Sequence, residues 1–320
     1  MKNPLPILYT LAVLLLASTE GWCADLQKGW DAFNNGNYTA AFREWKPLAE
    51  QGDAKAQFLV GTIYSNGLGI PHDQKEAVRW YRLAAEQAYA LAQNNLGLIY
   101  YEGQGVIQDY TVARKWLQLS AEQDVPEAQF LLGWMYYKGQ GVPYNYKEAA
   151  TWLRLAADQG LAVAQTNLGL MYLRGQGIPQ DHKEAFKWFR HAAEQGDGTA
   201  QTNLGLMYLK GQGVPQDHTE AANWYWFAAD QWVPSAQIRL GMMYEYGRGV
   251  LQDYVSAYMW YSLGALQGHK IAREYRDIIK KKMPPSQIDK AQQITREWLE
   301  KHRGVETSFR YQKDASLRSA

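Results

Sequence analysis

The residues of this chain best suited to hold a metal ion are two histidines with aspartate neighbours. His182 follows Asp181 and His218 follows Asp217, and the two pairs lie 36 residues apart (182 to 218). Imidazole and carboxylate groups are common ligands of divalent metals. The equivalent position elsewhere in the chain is filled by Gln74, Tyr110 and Tyr146. Such variety is typical of a solvated loop position, so we predict no metal site and no cofactor.

Known catalytic motifs do not accompany these histidines. The patterns HExxH, GxSxG and SxxK are absent, and the Gly-x-Gly pairs recur as helix terminators rather than as a phosphate-binding loop. A general base needs a positioned partner and a pocket, and the sequence suggests neither. We therefore predict that the protein is not an enzyme.

The elements that would position any functional residue are given by a repeat of 36 residues, such as Gln57 to Gln93. Three columns of identical residues mark it: Gln57, Gln93, Gln129, Gln165, Gln201 and Gln237; Gly61, Gly97, Gly133, Gly169, Gly205 and Gly241; Tyr64, Tyr100, Tyr136, Tyr172, Tyr208 and Tyr244. A fixed period of about 20–50 residues is typical of a solenoid, whose units bury their apolar faces against their neighbours. The sequence therefore predicts an all-α solenoid, and with it a binding scaffold.

One repeat, residues 162–197, predicts two helices. Apolar residues at helical spacing place the first at about 162–174, and Gly175 fits the left-handed residue that ends a helix. Asp181 and Glu184 have the spacing of a capping box at the start of the second helix. The second helix places Ala185, Trp188, Ala192 and Ala193 on one face. We predict that the six repeated tryptophans belong to the core; the alternative is a tryptophan-lined ligand site.

Charge and targeting signals limit the partners. The net charge is +1 and no run of like charges is longer than residues 280–282, so nucleic acid is an unsuitable partner. Lys2 and the apolar run 5–17 resemble a secretion signal, with cleavage after Cys23 or Ala24. We predict a signal peptide over 1–23 and a periplasmic or secreted protein without stable membrane insertion. An uncleaved anchor and lipidation of Cys23 are the alternatives.

The run AQTNLGLMYLKGQGVPQDHTEAANWYWFAADQ at residues 200–231 closely resembles the Sel1-like repeat, a relative of the tetratricopeptide repeat. Six such units cover 54–269. Residues 25–53 resemble a tetratricopeptide-like first unit, and 270–303 resemble a C-terminal helical cap in which Ser286 starts the final helix. The cap's Ile288, Ala291, Ile294 and Trp298 would seal the apolar end, and 304–320 are expected to be a disordered tail.

This resemblance implies an α-α superhelical solenoid that works by protein–protein interaction. Many exported bacterial members of the family are adaptors or host-interaction factors. Some cysteine-rich relatives resemble β-lactamases and bind penicillins, but they carry paired cysteines, whereas Cys23 is the only cysteine here. The sequence thus favours an exported scaffold that binds through its concave groove. A β-lactamase-like hydrolase and a secreted host-interaction factor are the alternatives.

Candidate partner-binding residues come from the columns that change between repeats, which in tetratricopeptide relatives line the concave groove. They are mostly apolar and aromatic, which indicates a protein or peptide partner with an apolar segment. The candidates on first helices are Phe58, Asn94, Asn95, Leu98, Tyr101, Phe130, Trp134 and Tyr137. The alternative is packing between neighbouring helices, which we favour for the leucines at the same positions of the fourth and fifth units.

A second candidate surface is the aromatic run that begins at Trp224. Trp226 replaces a polar residue of the other units, and Trp232 stands where a glycine is usual. An exposed aromatic cluster often marks an interaction site. Local packing beneath the following loop is the alternative.

Overall fold

A computed structural model describes residues 24–302, and all regular structure within that range is α-helical. The predicted signal peptide (1–23) and the predicted tail (304–320) lie outside the described residues. The helices are α1 (Ala24–Asn34), α2 (Tyr38–Glu50), α3 (Ala54–Asn66), α4 (Gln74–Glu86), α5 (Ala90–Glu102), α6 (Tyr110–Ala121), α7 (Pro126–Lys138), α8 (Tyr146–Asp158), α9 (Ala162–Arg174), α10 (His182–Glu194), α11 (Gly198–Lys210), α12 (His218–Asp230), α13 (Pro234–Tyr246), α14 (Tyr254–Leu266), α15 (Lys270–Lys280) and α16 (Pro285–Lys301).

These helices form two compact units, one ending at Ser120 and the other beginning at Ala121. In the first unit α1 packs with α2 and α3 with α4; in the second unit the hairpins are α7–α8, α9–α10, α11–α12 and α13–α14. Each hairpin also packs against the next within its unit, as α8 does against α9 and α10 against α11. The predicted all-α solenoid of helix-turn-helix repeats is confirmed.

Helix ends follow the predicted chemistry. Gly175 has φ of 65°, in the left-handed region, and its N–H donates to the carbonyl of Met171 at the end of α9. At the start of α10 the Asp181 carboxylate accepts from the backbone N–H groups of Lys183 and Glu184, at 2.8 and 3.1 Å. The predicted bounds of the first helix and the predicted start of the second are therefore confirmed. The reciprocal half of the capping box does not form, because the Asp181 N–H donates to the Tyr172 carbonyl at 3.0 Å and the Glu184 carboxylate accepts from Lys187.

Two aspartate caps in this region have opposite electrostatics. Backbone hydrogen bonds, led by the N–H of Glu184, lower the pKa of the exposed Asp181. Asp197 caps α11 by accepting from the N–H of Ala200 at 2.6 Å, but burial raises its pKa. The same residue type thus favours the charged form in one cap and resists it in the other.

Two glycine columns allow close approach within and between repeats. A Cβ atom at Gly169 of α9 would lie 2.9 Å from the Phe189 ring of α10, so the glycine makes room for that ring. In the loop after α9, a Cβ at Gly177 would lie 2.2 Å from the carbonyl oxygen of Tyr146, the first residue of α8. The second glycine therefore seats each loop on the preceding repeat. Gly213 and Gly249 repeat this contact on His182 and His218.

The core position of the second helix is the residue after the tryptophan, which corrects the prediction. Phe189 is fully buried, whereas Trp188 is half-buried. The residues that face the helical glycines are Tyr81, Leu117, Leu153, Phe189, Tyr225 and Tyr261. Of the six repeated tryptophans, Trp80 and Trp260 are buried, and Trp116, Trp152, Trp188 and Trp224 are half-buried. The prediction that these tryptophans belong to the core is therefore confirmed for Trp80 and Trp260 and wrong for the other four, which are partly open to solvent.

The repeated glutamines join consecutive second helices. Gln165 of α9 donates through Nε2 to the Ala157 carbonyl near the end of α8, at 3.1 Å. Its Oε1 accepts from the Gln195 side chain at the end of α10, at 2.8 Å. The same pair of bonds occurs around Gln57, Gln201 and Gln237. Because these amides are buried, losing either bond would leave a polar group without a partner.

The C-terminal helices cover α14. α15 packs against α14 and α13, and α16 packs against α14. Ile288, Ala291, Ile294 and Trp298 all contact apolar clusters there, as the sequence suggests. α16 begins at Pro285 with Pro284 as its N-cap and no side-chain cap, so Ser286 lies within the first turn and does not start the helix.

Candidate partner-binding surface

Three stacked rings on α7, which we call the aromatic ladder, are the main feature of the predicted groove face. Phe130, Trp134 and Tyr137 follow one another at spacings of four and three residues, so they share one side of the helix. The Phe130 and Trp134 centroids are 6.5 Å apart at 24°, and those of Trp134 and Tyr137 are 5.5 Å apart at 13°. The rings therefore lie nearly parallel along the helix.

Neighbouring side chains hold the outer ladder rings in place. The Lys138 ammonium lies 4.6 Å from the Trp134 ring centroid and 5.7 Å from that of Tyr137. The Tyr137 hydroxyl donates to Gln176 Oε1 at 3.2 Å, in the loop after α9. Tyr146 of α8 lies 5.2 Å from the Tyr137 ring. Sequence reasoning missed Lys138, although its position four residues after Trp134 was a usable signal.

Burial separates the ladder into a base and a contact surface. Phe130 is only 4% exposed, whereas Trp134 and Tyr137 are half-buried. Two half-buried aromatic rings with a cation beside them suit an apolar segment that also carries an acidic or carbonyl group. Phe130 supports the ladder from beneath and is not accessible to a partner, which corrects its predicted role.

The candidate residues of the first compact unit also divide into buried and half-buried side chains. Phe58 is buried between the rings of Tyr81 and Tyr89, at 5.8 and 5.2 Å. Tyr101 is also buried and lies 5.3 Å from Tyr110. Both are packing residues, contrary to the prediction that they contact a partner. The remaining candidates Asn94, Asn95 and Leu98 are half-buried on α5.

The asparagines of the fourth and fifth repeats bond within their own helices. Asn167 donates to the Val163 carbonyl at 2.7 Å and Asn203 to the Thr199 carbonyl at 2.8 Å. In the first unit, Asn95 has the Tyr81 hydroxyl as a partner instead. These amides already have partners inside the scaffold, so they do not form a common set of sites for a peptide backbone.

The second candidate surface is split by the structure. Trp226 is 45% exposed and Phe227 48% exposed on the outer side of α12, with their rings 5.5 Å apart. Trp232 is 4% exposed and packs edge-on against Trp298 of α16, at 5.1 Å. The exposure predicted for Trp226 is confirmed. The partner-binding role predicted for Trp232 is corrected, because a helix of the same chain covers it.

The groove columns end at a buried carboxylate. Glu245 of α13 accepts from the Tyr261 hydroxyl and from the Lys282 ammonium, both at 2.9 Å. The hydrogen bond from Lys282 to Glu245 raises the pKa of Lys282, and burial raises the pKa of Tyr261. Glu245 thus ties the C-terminal segment to the last repeat and is enclosed by partners of this chain.

The two candidate metal-binding histidines contact the loops of the following repeats through their backbone atoms. His182 and His218 are half-buried at the starts of α10 and α12, beneath the loop glycines of the following repeats. Within residues 24–302 no group of three His, Cys, Asp or Glu side chains is placed to hold a metal ion. None of the helices described is both long and apolar enough to cross a membrane.

Comparison with known proteins identifies the family of these repeats. The Sel1 repeat family model matches residues 54–89, 90–125, 126–161, 162–197, 198–231 and 234–269. The structure of a Sel1 repeat protein from Oxalobacter formigenes is 32% identical, with a TM-score of 0.69, over 76% of this chain and 97% of that one. The protective antigen c5321 of uropathogenic Escherichia coli, described as an SLR fold, is 28% identical over 91% of this chain and 86% of that one, with a TM-score of 0.48. No curated protein matches the chain.

Proposed function

Because this chain belongs to the Sel1 repeat family, whose scaffolds commonly mediate protein–protein interaction, we propose that it is an exported scaffold that binds a protein partner on the groove face of α7. The observation that carries this proposal is the aromatic ladder, with Trp134 and Tyr137 stacked at 13° and half-buried. Aromatic side chains held rigidly in place are the usual anchors of binding surfaces.

The ladder also defines the chemistry of the partner. Trp134 and Tyr137 present the open parts of their stacked rings, and these side chains lose little conformational entropy on binding because their neighbours already fix them. The Lys138 ammonium lies beside both rings and favours an acidic group on the partner. The partner is therefore a protein or peptide whose apolar segment is flanked by an acidic residue.

Export follows from the sequence of residues 1–23, with its positive start and apolar stretch. Cleavage after Cys23 would release a mature chain that begins at Ala24, the first residue of α1. The partner is then sought in the periplasm or outside the cell. Cell fractionation together with mass determination of the mature N-terminus tests this part of the proposal.

The binding test is an affinity pull-down from periplasmic extract with residues 24–320, compared with Trp134→Ala/Tyr137→Ala. The matched control is Leu170→Ala/Leu173→Ala, which truncates the same two positions of α9. We expect a partner that the native chain and the control retain and the ladder variant loses, with helical circular dichroism preserved in all three. An identical set of proteins from every variant contradicts the proposal, and loss of fold in the ladder variant assigns these rings to the core.

A further inference from the structure

The outer faces of the second helices repeat a pair of positions, in which a tryptophan is followed three residues later by an apolar residue in α8, α12 and α14 and by a histidine in α10. In the second unit α8, α10, α12 and α14 carry Trp152 and Leu155, Trp188 and His191, Trp224 and Phe227, Trp260 and Leu263. On α14 both members are buried, whereas Leu155 and Phe227 are 41% and 48% exposed. The same positions are therefore covered in one repeat and open in others.

The chain itself shows what covers such a pair. α16 lies on α14, and its Ile294, Trp298 and Leu299 pack into the cluster that contains Trp260 and Leu263. The centroids of Trp298 and Trp260 are 6.1 Å apart. The chain thus contains one example, α16 on α14, of an amphipathic helix that covers the outer face of a second helix.

α12 shares with α14 the lack of lysine and arginine. By contrast, α8 and α10 contain Lys147, Arg154, Lys183, Lys187 and Arg190. The titratable groups of α12 include the acidic Glu220 and Asp230. Trp226 stands where α8 and α10 have Arg154 and Arg190, so an exposed ring replaces the charge that would keep this face in water. The outer patch, which we define as Trp224, Trp226 and Phe227, is therefore apolar with acidic neighbours.

The outer patch also borders the place where α16 ends. His302, just after α16, lies 3.2 Å from the Asp230 carboxylate at the end of α12. Trp298 contacts Trp232, which follows α12 directly. The interface made by α16 on α14 thus reaches α12 at its last residue, one turn beyond Phe227.

We propose that the outer patch of α12 is the seat for an amphipathic helix of a partner protein, which lies on α12 as α16 lies on α14. The helix presents large apolar side chains at the spacing of Ile294, Trp298 and Leu299. It places a basic residue toward Glu220 at the start of α12, because Asp230 at the other end already pairs with His302. Trp226 and Phe227 contact its apolar side. This surface is distinct from the aromatic ladder, so each can be tested without the other.

The test uses a labelled peptide of residues 285–302, the sequence of α16, as the probe helix for the full mature chain. Trp226→Gln/Phe227→His removes the two exposed rings of the patch while keeping residues that the scaffold already accepts, because Gln118 and His191 occupy these positions in other repeats. Leu251→Gln is the control, since Leu251 is a fully open apolar residue in a loop. Fluorescence anisotropy measures binding, and circular dichroism checks the fold.

We expect saturable binding to the native chain and to Leu251→Gln, and at least a tenfold weaker affinity for Trp226→Gln/Phe227→His. A peptide with Ile294→Ala and Trp298→Ala should bind neither the native chain nor Leu251→Gln. Absence of saturable binding, or equal affinity of the patch variant, overturns the proposal. Sedimentation that reveals a dimer of the native chain, lost in the patch variant, would make a second copy the occupant and would also overturn it.

Discussion

Helices α7 and α9 occupy equivalent places in consecutive hairpins, yet they carry different residues at the predicted groove positions. Both carry the repeated Ala, Gln, Leu, Gly and Met on their buried sides. At the three variable positions α7 has the aromatic ladder, whereas α9 has Thr166, Leu170 and Leu173. Leu170 and Leu173 pack against an apolar cluster formed by α10 and α11, as the sequence favours, while the outer ladder rings stack on one another.

This difference shows that the scaffold and its surface are specified by different residues. The glycine, glutamine and large apolar columns set the geometry of every hairpin, so the groove positions are free to vary. A binding surface can therefore be made in one repeat without altering its neighbour. Substitutions in the shared columns should therefore have the largest effects. Substitutions that exchange the variable residues of α7 and α9 should have smaller effects.

The largest effect is expected from the residues that face the helical glycines. Phe189→Ala in the α9 hairpin should lower the free energy of unfolding by about 3–5 kcal/mol, and Leu153→Ala in the α7 hairpin by about 2–5 kcal/mol, because each leaves a cavity. Trp188→Ala should cost less, since its indole is already partly in water. Urea unfolding followed by circular dichroism measures all three, and a greater loss from Trp188→Ala would refute this assignment of the core.

The next effect exchanges the faces directly. Trp134→Leu/Tyr137→Leu gives α7 the residues that α9 carries, and should weaken binding of the captured partner at least about 30-fold, equivalent to a loss of about 2 kcal/mol. The fold should persist, because leucine is accepted at both positions in α9. Titration calorimetry measures the affinity, and an unchanged value would show that the ladder does not distinguish the two helices.

A smaller effect tests the glutamine that both helices share. Gln165→Leu should cost about 0.5–1.5 kcal/mol, because the Ala157 carbonyl loses the Gln165 donor but keeps the backbone N–H of Gly160 at 3.0 Å. Gln129→Leu should cost a similar amount in the α7 hairpin, where Gln129 donates to Ala121 at 3.1 Å. Gln195→Ala, which removes only the exposed partner, is the control in urea unfolding. Equal losses from Gln165→Leu and Gln195→Ala would mean that burial of the amide is unimportant.

The smallest effect is a pair of opposite pH dependences. Asp197 has a raised pKa, so its contribution to stability is present below its unfolded value of 3.8 and is lost as the pH rises through the folded pKa. Asp181 has a lowered pKa, so its contribution is present above 3.8 and is lost as the pH falls through the folded pKa.

Each aspartate therefore serves as the control for the other. The stability of the native chain relative to Asp197→Asn should fall between acid and neutral pH, while that relative to Asp181→Asn should rise. Asparagine is a good N-cap, so both variants keep their helix starts. Urea unfolding at several pH values measures the two slopes, and slopes of the same sign would contradict the assignment.

The sequence predicts most of the scaffold because each repeat can be aligned with the other repeats of the same chain. Helix starts at Asp181 and ends at Gly175 follow from local chemistry and were read without tertiary information. The sequence does not decide whether Trp188 or Phe189 is the core residue, because adjacent positions on a helix differ by only about 100° and both residues are aromatic. The position opposite each helical glycine always holds a large apolar residue, and that column would have identified Phe189.

The candidate surfaces were harder to predict because their exposure depends on distant parts of the chain. Trp232 and Trp226 look alike in sequence, but α16 covers the former and leaves the latter in solvent. Similarly, Phe130 lies beneath the other ladder rings, which only the turn of α7 and its packing on α8 determine. Sequence comparison among repeats finds the variable positions, and tertiary structure decides which of them a partner can touch.

The glutamine bonds have a consequence for how the chain can change its length. Gln201 donates to Ala193 just as Gln165 donates to Ala157, both at 3.1 Å. Deletion of residues 162–197 would therefore bring Gln201 to Ala157 with the same eight-residue separation and an identical joint. Whole repeats are interchangeable segments at this joint, whereas removal of a single residue would misalign every bond beyond it. Gain and loss of repeats can thus add or remove binding faces one at a time while the rest of the molecule keeps its register.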